Sequence, residues 1–93
     1  MITAIVLIDT EAAQIPEVAQ QAADIDGVTE VYSVTGDVDL IALVRVSQQE
    51  QLAGVIADQL SKIPGVLNTR TYLAFQSYSQ HDLEAAFALG LGD

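Results

Sequence analysis

Apolar residues fall into four short runs separated by two stretches of helical spacing. Residues 2–8 are apolar and rich in β-branched side chains, the composition of a strand. Beyond Asp9-Thr10-Glu11, the recurrence of Ile15, Val18, Ala22 and Ile25 predicts a helix over residues 12–24. Pro16 fits it only in the first turn, where a missing N–H has no intrahelical partner to lose. Asp26-Gly27 ends that helix, and residues 28–34 read as a second strand. Thr35-Gly36-Asp37-Val38-Asp39 then leads into a third apolar run, Leu40–Val46. Gly36 tolerates positive φ and Asp37 can hydrogen-bond its own backbone, so the segment reads as a hairpin tip. Ser47-Gln48-Gln49-Glu50 has the spacing of a capping box. Leu52, Val55, Ile56, Leu60 and Ile63 follow on one helical face, Pro64-Gly65 stops it, and residues 66–75 form a fourth strand.

The order β-α-β-β-α-β is duplicated internally. If Ile2 is laid on Leu40, Ile2-Thr3-Ala4-Ile5-Val6 matches Leu40-Ile41-Ala42-Leu43-Val44. The same displacement sets Val18 on Ile56, Ala22 on Leu60, and Ile25-Asp26-Gly27-Val28 on Ile63-Pro64-Gly65-Val66. Strand, helix and helix exit align at one register, which favours two βαβ halves over chance. Right-handed crossovers then place both helices on one face of a four-stranded antiparallel sheet, the α+β ferredoxin-like arrangement.

A sheet covered on one face should alternate apolar and polar residues along each strand. These strands do not: Ile2, Ala4, Val6 and Ile8 are opposed by Ile5 and Leu7, and Leu40, Ala42 and Val44 by Ile41 and Leu43. Two helices cover one face only. An apolar second face of that extent marks an interface, so a dimer formed by sheet-on-sheet packing around a barrel-like core is expected.

Composition narrows the partners. The chain of 93 residues is 51% hydrophobic, enough for one folded domain. Thirteen acidic residues against three basic ones give a formal net charge of −10, which disfavours nucleic acid and anionic membranes as direct partners. Cysteine is absent, removing thiolate metal sites and cysteine nucleophiles. Met1 runs directly into an apolar strand with no basic n-region, and no run approaches the roughly 18 apolar residues of a spanning helix. A cytoplasmic protein is the expectation.

Candidate chemistry centres on the tip. Asp37 and Asp39 sit beside backbone N–H groups near Gly36, an arrangement suited to a molecule with both an ammonium and a carboxylate. The pair has no third ligand at metal-site spacing and no nearby base or nucleophile, so neither a metal, a cofactor nor catalysis is expected. Thr69 and Thr71 flank Arg70 in the fourth strand, where threonine is also simply a good strand residue. Arg45 and Arg70 lie within apolar strands, where charge wants a partner, and pairing with acidic groups across an interface is the favoured role. His81 is the lone histidine, in Ser79-Gln80-His81-Asp82; Leu83, Phe87 and Leu91 beyond it make an apolar stripe, predicting a short C-terminal helix that docks on a subunit.

The segment Val31-Tyr32-x-Val34-Thr35-Gly36-Asp37-Val38-Asp39-Leu40, with Ile63-Pro64-Gly65-Val66-x-x-Thr69-x-Thr71 at this distance, resembles the effector-binding (RAM) domain of the Lrp/AsnC family. The similarity covers about residues 1–76, leaving 77–93 as a tail. It implies a dimeric α/β barrel that assembles further, binding small effectors, typically amino acids, at the contact between dimers. Carried onto this chain, the implied ligand-binding residues are Thr35, Gly36, Asp37 and Asp39, with Thr69 and Thr71 as weaker candidates. Family members also carry an N-terminal helix-turn-helix that precedes this module. Its absence before Ile2 suggests a stand-alone form that senses an amino acid or joins a full-length Lrp/AsnC-type regulator in mixed oligomers. Two other readings compete: a small dimeric α/β-barrel enzyme of oxygenase type, and a ligand-free oligomerisation scaffold.

Overall fold

A computed structural model describes residues 1–78. The C-terminal helix expected from Leu83, Phe87 and Leu91, and His81, lie outside the described residues. Four strands, β1 (Ile2–Thr10), β2 (Val28–Ser33), β3 (Leu40–Val46) and β4 (Val66–Ala74), form one antiparallel sheet in the order β2-β3-β1-β4. Helix α1 (Ile15–Ala23) and helix α2, which starts at Glu50–Ala53, provide the crossovers. This is the ferredoxin-like arrangement that the duplicated pattern predicts.

The core lies between sheet and helices. Ala4, Val6 and Ile8 from β1 and Leu40, Ala42 and Val44 from β3 are fully buried, with Val18 and Ala22 of α1 and Leu60 from the second helical segment closing over them. The duplication survives in backbone detail. Gly27 and Gly65 both have φ of 101°, and the Val28 and Val66 amides close the same turn onto Ile25 and Ile63 carbonyls at 3.0 and 3.1 Å. Each glycine sits where a helix exit passes close under the other half's packing. A β-carbon on Gly27 would stand 3.1 Å from Val55 Cγ2; one on Gly65 would meet Gln14 Oε1 and stand 3.0 Å from Val18 Cγ2.

Local departures have local causes. The first helical segment is not continuous from Ala12: a 3-10 turn over Ala12–Gln14 precedes α1. Pro16 has no N–H to give the Ala12 carbonyl, so the α-helix restarts at Ile15 with Pro16 in its first turn. The expected capping box at Ser47–Glu50 does not form. Gln51 takes Glu50's place: its side-chain oxygen accepts from Ser47 N, Ser47 Oγ and Gln48 N, each at 3.0 Å. With the first amides of the turn held by one residue further on, the helix begins at Glu50. It then widens to π-helical turns over Gly54–Gln59 and tightens to 3-10 over Leu60–Lys62. Strand β1 runs two residues past its expected end because Thr10 N and Glu11 N are both taken up, by Asp39 Oδ2 and by the Gly65 carbonyl, at 2.9 Å each.

The sheet's second face is open in the described residues. Across it, Glu30, Leu43, Ile5 and Tyr72 make one row and Tyr32, Ile41, Leu7 and Arg70 the next, reading from β2 to β4. Ile5, Leu7, Ile41 and Leu43 are only half-buried, and Tyr32 and Tyr72 stand out at 48% and 55% exposure.

Gly65→Ala is expected to destabilise the domain by about 2 kcal/mol, combining positive-φ strain with the clash against Val18. Gly36→Ala, where φ is 123° but the added carbon meets nothing within 4 Å, should cost about 1 kcal/mol. Urea denaturation of the two variants checks the order.

Candidate functional site

The hairpin between β2 and β3 projects from the end of the sheet. Thr35, Gly36 and Asp37 are exposed, Val38 folds back into the protein at 7% exposure, and Asp39 is half-buried. Gly36 has φ of 123°, the conformation that suits glycine at a tight turn. The tip's two carboxylates are therefore not equivalent. Asp39 is pinned three ways: its N–H donates to the Ile8 carbonyl at 3.1 Å, its carbonyl accepts from Val34 N at 3.2 Å, and its Oδ2 accepts from Thr10 N at 2.9 Å. It fastens the hairpin to the end of β1. Asp37 has its carboxylate in solvent.

Thr10 is the residue that the sequence pattern missed. It is 6% exposed, and its hydroxyl oxygen has no hydrogen-bond partner among the described residues. A buried hydroxyl without a partner costs about 1–3 kcal/mol. This orphan sits beside the only carboxylate anchored at the tip. A Thr immediately after an apolar strand is too common a sequence feature to have singled it out.

Thr69 and Thr71 are not brought to the tip. Thr69 opposes Ile8 and Thr71 opposes Val6, so both lie on the helix side of edge strand β4, with β1 standing between β4 and the hairpin strands. Thr69 is half-buried with its hydroxyl 3.5 Å from Ser61 Oγ, whereas Thr71 is exposed. Arg45 and Arg70 oppose Thr3 and Leu7 on the open face. There the Tyr32 hydroxyl donates to the Glu30 carboxylate, and this bond, reinforced by the charge beside it, holds the phenol's pKa above its ordinary 10.0.

Two surface cavities lie away from the hairpin tip. One of about 300 Å³ at the far end of β3 is lined by Asp26, Gly27, Arg45, Ser47 and Gln51 among others, and another of about 280 Å³ by Thr3, Ala74 and Phe75 with their neighbours. No group of three or more His, Cys, Asp or Glu suited to a metal occurs among the described residues. In a single copy the tip is a protrusion carrying a free carboxylate, not an enclosed pocket.

Comparison with known proteins decides the family. The model of the Lrp/AsnC ligand binding domain matches residues 3–83. The chain belongs to this family. The HTH-type transcriptional regulator FL11 of Pyrococcus horikoshii is 31% identical over 77 residues, 83% of this chain and 50% of that protein. The chain spans about half or less of the length of these curated regulators. TTHA0845 from Thermus thermophilus superimposes with a TM-score of 0.81 at 41% identity, covering 86% of this chain and 100% of that one. The feast or famine regulatory protein Rv3291c from M. tuberculosis, complexed with L-methionine, shares the fold, with a TM-score of 0.71 at 24% identity over 86% of this chain and 54% of that one. A ligand-binding domain among transcriptional regulators is what the Lrp/AsnC resemblance implies, and it removes the support for an oxygenase-type enzyme. No helix among the described residues is long and apolar enough to cross a membrane.

Asp39→Asn is expected to lower stability by about 1–2 kcal/mol, because a charge-assisted bond to a buried amide becomes a neutral one. Asp37→Ala should stay within about 0.5 kcal/mol of the parent. Thermal unfolding monitored by circular dichroism separates the two aspartates.

Proposed function

We propose that this domain senses an amino acid and couples it to assembly, with the hairpin tip as its recognition element. The observation that carries this is the division of labour between the two aspartates: Asp39 fixes the hairpin, leaving Asp37 exposed to solvent beside the Gly36 backbone. A carboxylate takes a ligand ammonium and the amides around Gly36 take its carboxylate, the two groups that every amino acid carries. The M. tuberculosis regulator's complex with L-methionine supports a ligand of this class. The protruding tip needs a second wall, and the pattern of half-buried Ile5, Leu7, Ile41 and Leu43 on the open sheet face supports dimerisation there, with tips meeting between dimers. Thr69 and Thr71, on the helix side of edge strand β4, contribute only where a neighbouring subunit's tip reaches that edge. Through such contacts the domain would join full-length Lrp/AsnC-type regulators in the cytoplasm and act on transcription without touching DNA itself.

A thermal-shift screen against the twenty amino acids, with light scattering alongside, tests this. A cognate amino acid at about 100 times its dissociation constant should stabilise the fold by roughly 2.7 kcal/mol. Asp37→Ala should lose that shift while keeping the ligand-free midpoint. A stable oligomer that responds to no amino acid would point instead to a scaffold.

A further inference from the structure

The two halves of the duplicated pattern finish their outer strands differently. The displacement that sets Val28 on Val66 also sets Thr29 on Leu67, Thr35 on Leu73 and Asp37 on Phe75. Where the first half has polar residues, the second exposes large apolar ones: Leu67 at 64%, Leu73 at 48% and Phe75 at 96%. Strand β4 also runs on to Ala74, whereas its counterpart β2 stops at Ser33 and turns into the hairpin.

Leu73 lies on the helix side of the sheet, opposite Ala4, with Thr71 opposite Val6 and Thr69 opposite Ile8. Ala4, Val6 and Ile8 are fully buried. One strand further out, Thr69 is half-buried against Ser61 while Thr71 and Leu73 are exposed. The strip from Thr69 to Leu73 is about 13 Å long and ends beside Phe75. Threonine serves a strand as well as leucine does, so the strand alone does not call for an apolar residue there.

The chain itself supplies a fitting cover. Residues 79–93 follow Tyr78, and in them Leu83, Phe87 and Leu91 fall on one helical stripe about 12 Å long. The Lrp/AsnC match ends at residue 83, so Phe87 and Leu91 lie beyond the shared domain. Residues 75–82, which join strand to stripe, can extend over about 25 Å, enough to turn back and lay Leu83 over Leu73. A segment tethered this closely meets the strip at an effective concentration of about a millimolar. Charge suits the same placement. Asp82, Glu84 and Asp93 are accompanied by no Lys or Arg after Arg70. With Leu83 over Leu73, Asp93 lies toward Thr69 and so toward Lys62, the one basic residue off the open face. Helix α1 and its C-cap carry Glu17 and Asp24 and no cation.

We propose that residues 83–91 dock as an amphipathic helix on the helix side of β4 of their own subunit, over Thr69, Thr71 and Leu73. The open face stays free for the dimer put forward above, and the docking depends on neither that dimer nor a ligand.

The absence of cysteine makes the test direct. Ala86 falls between Leu83 and Phe87 on the stripe. Thr71 and Tyr72 are neighbours that point to opposite faces of the sheet, and both are tethered to residue 86 by nearly the same length of chain. Under mild oxidation, Thr71→Cys/Ala86→Cys should close a disulfide within one chain, seen as a faster-migrating monomer on a non-reducing gel. Closure should be about tenfold faster than in Tyr72→Cys/Ala86→Cys. Equal rates, faster closure from Tyr72→Cys, or no closure from either pair would overturn the proposal. Covalent dimer from Thr71→Cys/Ala86→Cys would overturn it too, since the segment then covers another copy. As a second measurement, chymotrypsin cleavage after Phe87, followed by mass, should be about tenfold slower in the parent than in a synthetic peptide of residues 79–93. Leu73→Thr, which installs the residue type of the first half, should raise the parent's rate by about fivefold while circular dichroism shows the sheet unchanged. A parent rate equal to the peptide's, or one that Leu73→Thr leaves unchanged, also overturns the proposal.

Discussion

The domain's organisation depends on one imbalance: a sheet apolar on both faces, with helices enough for one. The helix-covered side holds the fully buried residues Val6, Ile8, Leu40 and Val44. The other side leaves Ile5, Leu7, Ile41 and Leu43 half-exposed along the two central strands. Burying apolar surface at roughly 25 cal/mol per Å² drives whatever covers that face, so in the proposed dimer folding and association would share a single sheet. Substitutions in β1 and β3 would then bear on folding at the even-numbered positions and on association at the odd-numbered ones.

Most of this fold is legible in the chain because two independent signals coincide. The β-branched runs announce strands, and the repeated Ile-x-Gly-Val exit fixes where each helix must release its chain. Gly27 and Gly65 show why that exit is spelled so narrowly: both occupy the same left-handed conformation, and both lie under packed valines. The errors are smaller and share a cause. A capping box and a helix start are assigned from local spacing, yet Gln51 outcompetes Glu50 for the Ser47 turn, and Pro16 resets the first helix. Such competition between neighbours of similar chemistry is decided by side-chain reach and backbone path, which spacing does not encode.

The candidate site is legible in kind but not in role. Gly36 and the two aspartates announce a turn with carboxylates. What separates Asp37 from Asp39 is a bond to an amide 29 residues away, and the orphaned hydroxyl of Thr10 follows from burial that only the assembled sheet produces. Thr69 and Thr71 illustrate the reverse limit. Strand periodicity pairs them correctly on one side, but strand order, with β1 interposed, decides that the side is not the tip's.

The open face also gathers the chain's scarce cations. Arg45 and Arg70 both lie on it, opposite Thr3 and Leu7, so of the three basic residues only Lys62, on the second helical segment, is left elsewhere. Covering that face as proposed would leave Lys62 as the one Lys or Arg outside it, against thirteen acidic residues in the chain. A protein surface that docks on such a dimer from outside must bring its own positive charge, and at physiological salt, where screening acts over about 8 Å, such docking weakens as ionic strength rises.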